Sequence, residues 1–256
     1  MVGGGLANMI GINTCGGQAG AGGGGGEFTN EWSIDIDGAT EYVTCGNVTA
    51  TNGVSNASWS FWFKLDSNSI NQMPISQWNN SSATNQMYVY LIGSSRIDVH
   101  LAGVVAFRDA TTVSLSTGTW YHLAVVYDGS LSSSNICKAW LNGTQLTNSL
   151  TPSSIANLKT VTNDFEMGRR PTGNYLDGQI DEVSIFTSTL TPTDVANIYG
   201  GGTPTNLVGS SGLVHYWRNG DNNCTSAPCT GTVVNDEVGS LNGTLLNAAS
   251  FVQDAP

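Results

Sequence analysis

One segment alternates as an extended strand, runs into a capped helix and halts at three glycines. Along Gly178–Phe186, Ile180, Glu182, Ser184 and Phe186 fall on one face and Asp181, Val183 and Ile185 on the other. Thr191 then supplies a cap, Pro192 suits the first helical position, and Asp194 adds a first-turn carboxylate. Gly200, Gly201 and Gly202 stop the helix after Tyr199. Elsewhere the same two-residue period recurs without a second helix signal. It marks Ser33–Asp37, Glu41–Cys45, Ala57–Leu65, Met73–Trp78, Met87–Ile92, Arg96–Leu101, Val104–Arg108, Trp120–Asp128, Lys138–Leu141 and Asp164–Gly168. In Ala57–Leu65, Trp59, Phe61, Phe63 and Leu65 oppose Ser58, Ser60, Trp62 and Lys64. About eleven strands without intervening helices require two packed antiparallel sheets.

Charge removes one class of partner. Eight Lys and Arg against nineteen Asp and Glu leave a net charge of −11, which argues against binding a phosphate backbone. No apolar run approaches bilayer length, so membrane insertion is not expected. The first residues lack a basic region and make a poor signal peptide. Asn142-Gly143 reads as a tight turn between strands rather than as a glycan acceptor.

Three regions follow. Residues 1–30 form a glycine-rich arm, with twelve glycines in the first 26 positions. Such a segment buries too little surface to order itself, which points to an anchor packed against copies of this chain or other subunits. Residues 31–202 hold the sandwich. Residues 203–256 are a turn-rich extension packed on it, with a strand at Leu213–Trp217 and a turn followed by a strand across Asn235–Leu246. Five cysteines make an odd count. Cys224 and Cys229 flank a plausible turn and either bridge or stay thiols. Cys45 and Cys137 read as buried thiols.

Several stretches, in order, resemble the LamG-like, concanavalin A-like jelly-roll family. They are Asp35–Val43, Trp59–Leu65, Trp120–Gly129, Ala139–Gly143 and Tyr175–Tyr199. The resemblance implies an all-β, two-sheet antiparallel jelly-roll sandwich with one short helix. It also implies a structural calcium near the opening hairpin and last strand, matched here by Asp37, Gly38 and Asp181. Together with the acidic, lysine-poor composition, the chain is similar to virion surface proteins of marine bacteriophages. That implies a virion-surface location; the alternative is a secreted or cell-surface protein.

The family also includes hydrolases and lyases, but their strand motifs are missing. No E-x-D-x-E or E-x-D-x-x-E occurs, and adjacent Asp181 and Glu182 on a regular strand would point to opposite faces. Catalysis is therefore not expected. A glycan site needs an aromatic plate with polar groups for the hydroxyls. The candidates are Trp78 beside Asn79 and Asn80, Tyr88 and Tyr90 on one strand face, Arg96 and His100 on the next, and Arg169, Arg170 and Tyr175 in a donor-rich loop. The competing reading places Trp78, Tyr88 and Tyr90 in the core or an interface. The sequence therefore suggests a non-enzymatic virion protein of capsid, fibre or tail, with host-surface glycans as partners. The runner-up is a free carbohydrate-binding module or adhesin, and the third a degenerate polysaccharide hydrolase or lyase.

Overall fold

The computed structural model describes residues 28–78 and 87–256. The arm through residue 27, and Asn79 and Asn80, lie outside the described residues. Seventeen strands and one α-helix follow in order among the described residues. The strands are β1 (Ser33–Asp37), β2 (Tyr42–Thr44), β3 (Asn56–Leu65), β4 (Asn71–Gln72), β5 (Ile75–Gln77), β6 (Met87–Ile92), β7 (Arg96–Leu101), β8 (Val104–Asp109), β9 (Trp120–Asp128), β10 (Cys137–Leu141), β11 (Thr144–Gln145), β12 (Phe165–Met167) and β13 (Asp177–Phe186). Helix α1 (Pro192–Tyr199) precedes β14 (Leu213–Trp217), β15 (Val233–Val234), β16 (Gly243–Leu246) and β17 (Ser250–Val252).

Two antiparallel sheets result. The first runs β11-β10-β9-β3-β13-β1-β17, with β14 also paired to β13; the second runs β15-β16-β2-β12-β5-β6-β7-β8, with β4 also paired to β6. Alternate residues of both sheets meet in one core, where Ile34, Trp59, Phe61, Phe63, Val89, Phe107, Phe165 and Ile180 are fully enclosed. The Asn142-Gly143 turn joins β10 to β11 with φ of 49° and 73°.

The outer face of the first sheet is not left to solvent. Helix α1 and its following loop cover it, enclosing Val126, Trp140, Phe186, Val195, Ile198 and Tyr216 in a second apolar cluster. Ser58, Ser60 and Trp62, which alternate to the far side of β3, are consequently buried. The helix begins as its residues dictate: the Thr191 hydroxyl accepts from Asp194 N while the Asp194 carboxylate accepts from Thr191 N. Gly200 closes it in the left-handed region at φ 59°.

The C-terminal segment belongs to both sheets. It supplies β14 to β13, β16 to β2 and β17 to β1. Trp217 is fully buried, stacks on Phe165 at 5.6 Å, and donates its Nε1–H to Leu241 O. Truncating such a tryptophan typically costs ~3–5 kcal/mol, so the segment helps hold the core. Cys224 and Cys229 are joined by a disulfide, with their Cα atoms 5.4 Å apart. Cys45 and Cys137 are free and buried.

The alternation expected along β13 fails at its centre. The register against β3 shifts between Asp181 and Ser184, and Glu182 takes φ +49°. This bulge inserts one residue, so Ile180 shares the core with Val183 and Ile185 while Ser184 and Phe186 turn outward. Asp181 and Glu182 therefore do not diverge as neighbours on a regular strand would.

Candidate functional site

On the second sheet, Met87, Val89 and Leu91 enter the core, so Tyr88 and Tyr90 project from the opposite face. The register sets Tyr88 beside Ser76 and His100, Tyr90 beside Asp98, and Asp98 beside Arg108. These pairings collect most of the expected sugar-site residues on one surface. Tyr88 and His100 stack with ring centres 4.1 Å apart, and the Tyr88 hydroxyl lies 2.7 Å from His100 Nδ1. Burial pushes the His100 imidazole down to about 4 and the Tyr88 phenol up to about 12. Both are neutral at pH 7. The phenol and Nδ1 therefore share one hydrogen bond between two neutral groups.

Asp98 organises the next part of the face. Its carboxylate accepts paired bonds from Arg96 (3.0 and 2.9 Å) and from Arg108 (2.9 and 2.7 Å). Burial works against the Asp98 charge, but the two guanidiniums outweigh it and hold the carboxyl below its usual range. Arg108 was not among the expected residues. The alternation Arg96-x-Asp98-x-His100 was the available signal that a charged row lay here.

The loop after β12 brings in the remaining arginines. Gly168 begins it at φ +85°, where a Cβ would sit 2.2 Å from Ile36 Cδ1, so only glycine fits. Gly168 N donates to Pro74 O, Leu176 N to Gly168 O, and Ser76 Oγ to Arg169 O, which pins the loop over β5. Arg169 makes paired bonds to Glu166 at 3.1 and 2.7 Å, with its guanidinium 3.3 Å above the Tyr42 ring. Burial disfavours its charge, yet hydrogen bonds to Glu166 and Tyr175 raise its pKa. Tyr175 also lines a depression of about 430 Å³ with Gly38, Ser69, Ile70, Asn71 and Asn174.

Arg170 differs from the other three. It has no carboxylate partner among the described residues; its Nη2 donates to Asn174 Oδ1 at 3.0 Å, and its guanidinium lies 4.9 Å from the Trp78 ring centre. Its Nε is buried without an acceptor. Its charge reaches both Tyr88 and His100, opposing the rise that burial causes in the first and adding to the fall in the second. The structure thus brings Trp78, Tyr88, Tyr90, Arg96, His100, Arg169, Arg170 and Tyr175 into one neighbourhood. Trp78 backs Arg170 there rather than standing as an open plate.

The expected cation residues are not brought together. Asp37 pairs in register with Asp177, so Asp181 lies four residues farther along β13, roughly 13 Å away. Asp37 Oδ1 is committed to its own turn, accepting from Ala39, Thr40 and Glu41 N. Gly38 sits where a Cβ would meet Asp177 Cβ at 2.7 Å, which gives it a steric role. A different set surrounds Asp181. One carboxylate oxygen from each of Asp181, Glu182 and Asp221 lies within 4.8 Å of the others, all enclosed.

The bulge creates this set by turning Glu182 toward the segment after β14. Arg218 is its cation, donating Nε–H to Glu182 Oε1 at 3.2 Å, with Nη2 at 3.4 Å from Asp221 Oδ2. Tyr216 also donates to Glu182. Asn30 Nδ2 donates to Asp181 Oδ2 at 3.1 Å, and Asn219 Nδ2 to Ile180 O at 3.0 Å. Asn30 Oδ1, Asn219 Oδ1 and Asp221 Oδ2 are buried without a hydrogen-bond donor. Burial and like-charge neighbours raise the carboxyls of Asp181 and Asp221. Three carboxylate oxygens against one guanidinium form an electron-rich set. That chemistry fits a hard divalent cation.

Two packed antiparallel sheets with one outer face carrying aromatic and charged side chains define a lectin-type sandwich. Residues 37–196 match the concanavalin A-like lectin/glucanases superfamily, and the chain belongs to that family. Curated protein sequences provide no match. A Bacteroides ovatus protein with a proposed carbohydrate-binding role superposes with TM-score 0.64 at 18% identity, over 90% of this chain and 62% of its own. The present chain thus spans less than two thirds of that protein. The heptameric SAP-like pentraxin of Limulus polyphemus gives 0.52 at 12% identity, over 89% and 93%. The CBM40 of a Ruminococcus gnavus IT-sialidase, bound to α2,3 sialyllactose, gives 0.53 at 11%, over 66% and 96%. At these identities the likeness establishes a shared fold.

Proposed function

We propose that the chain is a non-enzymatic glycan-binding module, carried on a virion surface by its N-terminal arm. The observation that carries the binding role is the convergence of tyrosines, His100 and four arginines on one outer sheet face. The sialidase module of similar fold is bound to sialyllactose and the Bacteroides protein has a proposed carbohydrate-binding role, which supports the same reading. Titrating the protein with oligosaccharides by calorimetry tests it. Tyr90→Ala should weaken binding about tenfold or more while the melting temperature holds. Unchanged affinity would remove this face from the reading.

The two carboxylates held by arginine on this face do not suit glycoside hydrolysis. Asp98 on β7 and Glu166 on β12 stand three strand spacings apart, roughly 14 Å, whereas an inverting pair needs at most about 9.5 Å. Each is also held by arginine. This supports binding without cleavage. The virion setting rests on the glycine-rich arm, with copies of this chain and other virion proteins as its partners. A structural calcium belongs to the same proposal, relocated from Asp37 and Gly38 to Asp181, Glu182 and Asp221 with the Asn30 and Asn219 carbonyls. Bound there, it would neutralise the excess negative charge and tie the chain entering β1 to the segment after β14.

A further inference from the structure

We infer that the outer face of the second sheet takes acidic glycans, those bearing a carboxylate or a sulfate ester, and that Arg170 receives the acidic group. This deepens the glycan-binding reading and rests on it. The first support is where positive charge sits. The chain carries a net charge of −11 and only five arginines, yet Arg96, Arg108, Arg169 and Arg170 all belong to this one face. Asp98 and Glu166 pair with three of them and Asp164 lies near Glu166, so the face keeps an excess of one positive charge. His100 and Tyr88 do not offset it, being neutral at pH 7. A neutral sugar would gain little from such a concentration, and an acidic protein would otherwise spread its few cations.

The second support is that the arginines are not equivalent. Arg96 and Arg108 spend their paired donors on Asp98, and Arg169 spends its own on Glu166. Arg170 meets no carboxylate among the described residues. Trp78 holds its guanidinium by the flat face and Asn174 holds one Nη, while the buried Nε lacks an acceptor. A planar fork held in this way loses little freedom when it closes on two oxygens of one anionic group. The turn that presents it is closed by reciprocal backbone bonds between Arg170 and Gly173 (3.2 and 2.8 Å). Tyr88, His100 and Tyr90 then lie alongside for the sugar ring, with the His100 imidazole available to a hydroxyl.

Binding of the full chain to oligogalacturonides, to sulfated galactan oligosaccharides and to neutral galacto-oligosaccharides of equal length tests the inference, read by calorimetry at two salt concentrations. The acidic ligands should bind at least tenfold more tightly than the neutral one and weaken as salt rises. Arg170→Gln should remove most of that margin, while Arg170→Lys should retain part of it. The melting temperature of each variant checks the fold. Preference for one acidic series identifies carboxylate or sulfate as the group received. Equal affinity for acidic and neutral sugars, or an Arg170→Gln variant with the margin intact, would overturn the inference and leave the glycan reading standing. Binding to none of the three would sink both.

Discussion

At the scale of residues, polar groups enclosed without charge partners decide how this protein answers to pH. His122 is fully buried, with Nε2 2.7 Å from Ser60 Oγ, and Trp62 and Tyr199 packed against its ring. Burial pushes its pKa down to about 3, against an unfolded value near 6.5. Between those values the unfolded chain holds a proton that the folded chain refuses. The stabilisation is complete above about pH 6.5 and is lost as pH falls, by up to about 1.4 kcal/mol per unit. A His122→Gln variant should therefore lose less stability than the wild type between pH 6.5 and 4 in urea melts. Parallel pH profiles would show that His122 titrates normally in the fold.

At the scale of elements, β13 shows which features the sequence discloses. Its length, the capped helix after it and the strands around it follow from side-chain period and turn chemistry, which act locally. The bulge at Glu182 does not, because a shift in pairing register leaves the composition of the strand unchanged. The cation cluster was hidden for the same reason: Asp181 was visible, but Glu182 reaches it only through the bulge, and Asn219 and Asp221 come from a loop 40 residues on. The proposed glycan face was half legible. Its tyrosines and arginines could be picked out by type, whereas their convergence depends on the registers of β5 to β8 and on the loop that Gly168 begins. Arg108 and Glu166 went unnoticed because each completes an ion pair only across strands or a turn. The cluster gives an element-level prediction. Calcium at a hundredfold excess over its Kd should stabilise the fold by about 2.7 kcal/mol, roughly 5–10 °C in a protein of this size, relative to chelator. Asp221→Asn should abolish the difference. Identical wild-type melts in calcium and chelator would remove the cation.

At the scale of the whole molecule, the C-terminal segment is threaded through both sheets, so the unit that can be separated is the arm and not the extension. Twelve glycines among the first 26 residues raise the cost of ordering, at ~1–2 kcal/mol per residue. On the proposed virion reading, deleting residues 1–26 should leave a folded sandwich with unchanged glycan affinity that no longer joins the particle; incorporation at wild-type occupancy would show that the anchor lies elsewhere. The central claim is the location of the binding face, and a crystal structure with a bound acidic oligosaccharide tests it most directly. The sugar ring should lie against Tyr90 and His100 with its acidic group on Arg170. A sugar seated instead beside α1, among Ser188, Asn197 and Asn206, would contradict it.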